Sequence, residues 1–141
     1  IVEPLTKGGA IYELLCEEKH MNECTSSCYD CIRDFSNQNL HAVLDWRLGL
    51  DLARLADDPA AEIGFNVEYW TGYISTTIMN ILRLQGYTAY FKNGLVTGTD
   101  QSGRGYCIVH PLWSKKRVKE IIDGITGIVQ PISIFDISKL K

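Results

Sequence analysis

Three cysteines lie within eight residues of one another, at Cys24, Cys28 and Cys31. Cys28 and Cys31 are separated by two residues, a spacing that lets two thiolates of one tight turn bind the same metal ion. Cys24 adds a third thiolate from the same stretch. Structural zinc sites take four ligands in a tetrahedral array, and thiolate is a preferred ligand. The spacing therefore predicts a zinc knuckle that lacks only its fourth ligand.

Three residues are candidates for that fourth position. Cys16, in the last turn of a short helix predicted over residues 10–19, would complete an all-cysteine site and is our first choice. His41 is the second, because it would present an imidazole from the first turn of the next helix. His20 ranks third. A site with four protein ligands keeps no open position for water, so we expect a structural rather than a catalytic metal site.

The cysteine count also bears on the cellular compartment. Five cysteines is an odd number, four lie in the first 31 residues, and Cys107 stands alone in an apolar run. Clustered cysteines behind no visible export signal favour metal over disulfides and a cytoplasmic location. No apolar run approaches the roughly 20 residues of a membrane span. The chain starts at Ile1 without Met, as expected of a fragment or a processed product.

A long helix is predicted to follow the knuckle and to dock it, over residues 39–57. Capping residues at positions 36–39 precede it, and Pro59 closes the segment. The predicted apolar stripe of this helix comprises Leu40, Leu44, Leu48, Leu52 and Leu55. A polar stripe next to it contains Arg47, Asp51 and Arg54.

The second half is predicted to mix helices and strands. A helix over residues 67–85 would end at Gly86, Asn93-Gly94 predicts a hairpin turn, and residues 106–109 form a buried central strand. Ser114 would cap a last helix, and residues 132–137 a last strand. The fold class is therefore α+β: a helical zinc-knuckle subdomain, residues 1–58, and a small mixed α/β subdomain, residues 62–141, packed against it. The helix over residues 67–85 would bury Trp70, Ile74, Ile78 and Ile81. The helix that Ser114 caps would bury Val118, Ile121, Ile122 and Ile125.

The first part of the chain contains Gly8-Gly9, Cys24, Cys28-Tyr29-Asp30-Cys31, Asn37-Gln38, His41 and Leu44-Asp45-Trp46-Arg47-Leu48. In these residues the knuckle region resembles a known family, the zinc-binding domain at the C-terminus of MrfA-type DEAD/DEAH-box helicases. Related domains occur in bacterial defence systems such as DISARM. The resemblance covers roughly residues 4–58 and implies Zn²⁺ held by a cysteine cluster, in a domain that supports a helicase working on DNA. Many members carry a further cysteine where this chain has Asn22, which leaves both Cys16 and His41 open.

The ATPase itself is not expected in this chain. There is no G-x-x-x-x-G-K-[ST] loop and no Asp-Glu-x-His/Asp box. We therefore expect a non-catalytic accessory domain, partnered with a helicase core in cis or in trans and with DNA through it, in antiviral defence or DNA repair. No membrane partner is expected.

Direct DNA contact would need a local basic patch, because the formal net charge is −3. Arg104, in the turn Gly103-Arg104-Gly105, could hold a phosphate. Four cations also open the last helix, where the helix dipole is already positive and a bound phosphate would relieve the repulsion. These four are Lys115, Lys116, Arg117 and Lys119.

Two other functions remain as alternatives. Residues 62–141 could form a nuclease or other hydrolase, with Glu62, Glu68 and Asp100 as magnesium ligands or His110 as a catalytic group. Alternatively, the chain could be an interaction scaffold for a partner subunit. Cys107 is predicted to be a buried core thiol.

Overall fold

The computed structural model describes residues 3–127 and 129–139 and has the predicted α+β class. The chain divides into two compact units, Ile1–Glu62 and Ile63–Lys141. The first unit is helical, and the second contains a four-stranded sheet. That region 62–141 packs against region 1–58 stays a prediction. Among the described residues, no helix has both the length and the apolar character needed to cross a membrane.

The first unit begins with two short helices where one was predicted over residues 10–19. The helix α1 spans Ala10–Leu15 and α2 spans Glu18–Glu23. The break lies at Glu17, whose extended backbone (φ −60°, ψ 135°) interrupts the helical hydrogen bonds and starts α2 afresh. Short 3₁₀ helices span Glu3–Leu5 and Phe35–Leu40.

The long helix α3 spans Trp46–Asp57, so the predicted start near residue 39 is wrong. Asp45 is the actual N-cap, and its carboxylate accepts hydrogen bonds from the amides of Arg47 (2.9 Å) and Leu48 (3.2 Å). These amides have no partner within the helix, which is why a carboxylate here defines its first turn. The capping residues predicted at positions 36–39 instead lie in the 3₁₀ helix Phe35–Leu40, whose N-cap is Asp34.

The buried face of α3 differs from the predicted leucine stripe. Trp46 and Leu50 are fully buried, whereas Leu40 and Leu52 are about half exposed, at 47% and 52%. Trp46 offers the largest apolar surface at the start of the helix, and residues four and seven positions later share its face. Two residues of the predicted polar stripe, Arg47 and Asp51, are also buried.

The second unit is built on a sheet of four strands, in the order β1-β2-β3-β4: β1 (Thr88–Lys92), β2 (Leu95–Thr99), β3 (Gly105–Val109) and β4 (Val129–Ser133). Asn93 and Gly94 both have positive φ (53° and 73°), which confirms the predicted hairpin and fits a type I′ turn. The predicted central strand, β3, runs antiparallel to β2 and parallel to β4. The predicted last strand lies too late in the chain, because residues 134–139 are 3₁₀ helix.

The helical segment before the sheet contains a change of helix type. It comprises α4 (Glu68–Tyr73), a π-helical turn (Ile74–Ile78) and α5 (Met79–Leu84). Trp70, Ile74 and Ile78 are buried as predicted, but Ile81 is only half-buried, and Met79 and Leu82 are the buried residues of α5.

Both predicted helix ends in this unit are confirmed. Gly86 has φ +86°, its amide donates to the Arg83 carbonyl at 3.0 Å, and the Tyr87 amide donates to the Leu82 carbonyl at 2.9 Å. This pair of bonds is the Schellman motif that glycine favours. The helix α6 spans Lys115–Asp123, and the Ser114 hydroxyl accepts from the Arg117 amide at 3.1 Å. The four apolar residues predicted to face inward from it are all half-buried.

Candidate metal centre

The three clustered cysteines are presented by the end of α2 and the turn that follows it. Cys24 is the C-cap of α2, and its amide donates to the His20 carbonyl at 2.8 Å. Cys28 and Cys31 belong to one turn, in which the Cys28 carbonyl accepts from the amides of Cys31 (3.2 Å) and Arg33 (3.0 Å). This turn directs both sulfurs to the same side.

Four side chains converge at this point: His20, Cys24, Cys28 and Cys31. The Cys28 sulfur lies 3.5 Å from the Cys31 sulfur and 3.6 Å from Nε2 of His20, and the sulfurs of Cys24 and Cys31 are 3.9 Å apart. All four ligand atoms lie within 4.8 Å of one another. Across residues 3–127 and 129–139, this is the one group of three or more His, Cys, Asp and Glu side chains close enough to share an ion. The cluster could hold one metal ion.

The imidazole of His20 is oriented for ligation. Its Nδ1 lies 2.8 Å from the carbonyl oxygen of Leu15. Because a carbonyl only accepts hydrogen bonds, Nδ1 carries the proton in this contact, and Nε2 of the neutral ring presents its lone pair to the thiols. The Trp46 ring lies against the imidazole, with centroids 5.1 Å apart. A ligand held on both sides in this way has little freedom to lose on binding a metal.

The fourth member of the cluster in the structure is therefore His20, and Cys16, the first-choice prediction, is not among the four grouped side chains. Cys16 ends α1, and the extended residue after it directs the chain into α2 before the cluster is reached. His41, the second choice, is also outside the group. Its Nε2 donates to the side-chain oxygen of Asn37 (2.9 Å) and to the Asp34 carbonyl (3.1 Å), closing the 3₁₀ turn.

The backbone of the knuckle is held by the first two residues of α3. The indole N–H of Trp46 donates to the Cys24 carbonyl at 3.2 Å. The Arg47 guanidinium donates to the carbonyls of Thr25 (2.7 Å) and Cys24 (3.4 Å), and it lies 4.3 Å from the centroid of the Trp46 ring. The Trp46 amide donates to the Ser26 carbonyl at 2.9 Å. Three consecutive carbonyls of the ligand loop are thus bonded to α3.

Burial and neighbouring thiols favour the protonated state of this cluster when no metal is bound. Burial, followed by the hydrogen bond with Cys28, raises the pKa of Cys24 to about 12. Burial also raises the pKa of Cys31, although the Cys28 amide opposes the shift. Since a metal binds thiolate, these two cysteines must release protons on binding.

The basic residues predicted to contact DNA have different environments. Arg104 is largely exposed but donates to Asp100 at 2.8 Å. Arg117 packs over the Trp113 ring at 4.8 Å. Lys115, Lys116 and Lys119 are exposed, and Lys116 lies 3.9 Å from Glu120. Their contact with nucleic acid stays a prediction.

The residues considered for catalysis are not grouped in the described part of the chain. Asp100 accepts hydrogen bonds from the Ser102 hydroxyl and from Arg104, and the first of these contributes most to a pKa well below the usual range. His110 is buried, and its Nδ1 accepts from the Leu112 amide at 3.1 Å. Glu62 and Glu68 belong to no metal-sized group among the described residues. Cys107 is fully buried, which confirms the predicted core thiol.

Comparisons of the chain with protein-family models, with curated proteins and with solved structures found no match. The resemblance to the zinc-binding domain of MrfA-type helicases therefore stays a prediction.

Replacing Arg47 by leucine should loosen the knuckle. The Thr25 carbonyl would lose the guanidinium donor and the Cys24 carbonyl one of its two donors, which costs about 1–3 kcal/mol of unfolding free energy. Affinity for the metal should fall about tenfold, as is typical when groups that hold a ligand are removed. Urea unfolding and a Zn²⁺ titration measure the two effects. The control is Arg83→Leu, an exposed helical arginine of the second unit, where a change within about 0.5 kcal/mol is expected. Equal effects of the two substitutions would contradict the assigned role.

The metal-free and metal-loaded forms should respond oppositely to pH. In the metal-free form, the protonated Cys24 contributes stability that is fully present below about pH 8.5, the pKa of an unfolded thiol. That contribution is lost as the pH rises toward the folded pKa of about 12. In the metal-loaded form, protons compete for thiolates, so affinity should fall about tenfold per pH unit for each proton released as the pH is lowered. Melting temperature against pH, with Zn²⁺ or with a chelator, tests both directions, and slopes of the same sign would contradict this.

Proposed function

We propose that His20, Cys24, Cys28 and Cys31 bind one Zn²⁺ ion and that the chain is a zinc-binding domain. The observation that carries the proposal is the spacing of the ligand atoms. A tetrahedral zinc ion requires its sulfur ligands about 3.8 Å apart and a sulfur and an imidazole nitrogen about 3.6 Å apart. The sulfur–sulfur distances of 3.5 and 3.9 Å and the sulfur–nitrogen distance of 3.6 Å are close to these values. Little movement is needed to receive the ion.

We propose further that the ion is structural and that this chain is not an enzyme. Four protein ligands fill the tetrahedron, so no position is left for a reacting water or substrate. Binding free energies of about 10–16 kcal/mol in small zinc modules exceed the whole stability of many domains. The ion would hold α2 and the ligand loop against the start of α3.

The wider context that we propose is a helicase. In this proposal the chain is an accessory domain of a DEAD/DEAH-box-type helicase acting on DNA, in defence or repair, with the helicase core in cis or in trans. Its support is the resemblance over residues 4–58. Of the residues that carry this resemblance, Asp45, Trp46 and Arg47 cap α3 and bond the ligand loop. A domain held together by these hydrogen bonds would be rigid enough to support the helicase core.

Contact with DNA is proposed for the basic helix start, defined as Lys115, Lys116 and Lys119 at the beginning of α6. All three side chains are exposed. The helix N-terminus adds partial positive charge, so a phosphate there would gain from both sources. Arg117 belongs to the same turn but packs on Trp113, and it is less available.

Substituting His20 by alanine should abolish stoichiometric zinc. The wild-type protein should contain one zinc per chain and melt at a lower temperature with a chelator, because the ion holds the ligand loop. The matched control is His41→Ala, which removes an imidazole hydrogen-bonded in the 3₁₀ turn and should keep the zinc. Elemental analysis and melting curves measure both. A zinc-free wild type would overturn the zinc proposal, and loss of zinc in His41→Ala but not in His20→Ala would overturn the ligand assignment.

Reversing the charge of Lys115 and Lys116 should weaken DNA binding. The double variant Lys115→Glu with Lys116→Glu removes about two phosphate contacts, so the slope of log affinity against log salt should fall by about 1.8. Titrations of single- and double-stranded DNA over a salt series measure this. The control reverses Arg83 and Lys92, a basic pair elsewhere in the second unit that carries the same charge change. No DNA binding by the wild type would instead favour a scaffold for a partner subunit.

A further inference from the structure

A cavity of about 370 Å³ opens beside the metal centre. Its walls include Cys28, His20 and Cys24, but Cys31 is not among them. Cys24 is buried, at 4% exposure, whereas Cys28 is half-buried. The Cys28 sulfur is therefore the one of the three that a small molecule entering the cavity meets first.

The surroundings of Cys28 suit a nucleophilic thiol. Its sulfur lies 3.6 Å from Nε2 of His20, the nitrogen that presents a lone pair because Nδ1 is bonded to the Leu15 carbonyl. In the zinc-loaded form the same sulfur would be a thiolate ligand, and thiolate is the nucleophilic form of a cysteine. Its place on the wall of the cavity distinguishes Cys28 from the buried Cys24 and from Cys31, which does not line the cavity.

A second thiol lies within reach of the first. The sulfurs of Cys28 and Cys31 are 3.5 Å apart in one turn, and a disulfide needs about 2.05 Å. The Cys28 amide also donates to the Cys31 sulfur at 3.1 Å, which supports negative charge there. Cys24 is farther from Cys31, at 3.9 Å, and is more deeply buried. A disulfide between Cys28 and Cys31 thus requires a smaller movement of the sulfurs than one between Cys24 and Cys31.

We propose that Cys28 is a peroxide-reactive thiol and Cys31 its resolving partner, so that oxidation ejects the metal. This inference rests on the proposed zinc site. The Cys28 thiolate attacks one oxygen of hydrogen peroxide, the O–O bond breaks, and Cys28 sulfenic acid and hydroxide form. The Cys31 thiolate then attacks the Cys28 sulfur, a disulfide forms, and a second hydroxide leaves.

The electrons and protons balance in this sequence. Two thiolates give two electrons to one peroxide, and two protons convert the two hydroxides to water. The ion loses two of its four ligands and dissociates, because His20 and Cys24 alone hold it weakly. A dithiol reductant reverses the disulfide, so the site can be reloaded.

The experiment uses the full zinc-loaded chain and a titration with hydrogen peroxide. Released zinc is followed with a colorimetric chelator, and free thiols are alkylated before peptide mapping. One zinc should leave per disulfide, with a loss of about 2 Da confined to the peptide holding Cys28 and Cys31. Cys16 and the buried Cys107 should be alkylated and serve as internal controls. Reductant plus zinc should restore the starting metal content.

Two variants sharpen the test. Cys16→Ser leaves the cluster intact and should release zinc at the wild-type rate. Cys31→Ser removes the resolving thiol, and in metal-free protein a sulfenic acid probe should then label Cys28. A first disulfide that includes Cys24 or Cys16, or probe labelling that avoids Cys28, would overturn the assignment. Retention of zinc and thiols at peroxide levels that oxidise a short Cys-x-x-Cys peptide would overturn it as well.

The same mapping on metal-free protein separates the two proposals. If the chain purifies without zinc but still forms the Cys28–Cys31 disulfide, the zinc proposal fails and the thiol assignment stands. If zinc is present but oxidation occurs elsewhere, the zinc proposal stands and the thiol assignment fails.

Discussion

The carbonyl groups of Cys24, Thr25 and Ser26 impose the main constraint on the first unit. They lie against α3, where the Cys24 carbonyl is buried and the Thr25 carbonyl partly buried, and carbonyls shielded from water are costly when they lack a donor. Trp46 and Arg47 supply the donors, although they are 20 or more residues away in the chain. Burying a guanidinium is expensive unless its N–H groups are bonded, and here two carbonyls accept from it. The ligand loop and the helix therefore form one structural piece.

The same two residues connect this framework to the metal ligands. Trp46 bonds the carbonyl of one ligand residue and packs against the ring of another, His20. Asp45 determines where α3 begins and so where the indole and the guanidinium lie. Each contact contributes little free energy, but all of them involve the first turn of one helix. A metal ion would add to an arrangement that is already largely assembled.

Features that a few neighbouring residues determine could be predicted from the sequence, whereas features that depend on residues distant in the chain could not. The hairpin at Asn93-Gly94 and the helix end at Gly86 were foreseen because a few neighbouring residues determine them. The three clustered thiols were foreseen because their spacing alone brings them together. His20 was underrated because its place depends on a helix break at Glu17, where no Gly or Pro marks it. The start of α3 was misplaced because two sets of capping residues compete, and burial of Arg47 depends on carbonyls distant in sequence.

The π-helical turn at Ile74–Ile78 has a consequence for the side chains that follow it. In an α-helix, residues four apart drift by about 40° around the axis, so a four-residue repeat winds away from a flat partner. A π turn takes more residues per turn and rotates the repeat back. Trp70, Ile74, Ile78 and Leu82 thereby stay on one line, and all four are buried. One wider turn thus corrects the phase of the whole segment, which is why Leu82 rather than Ile81 continues the buried row.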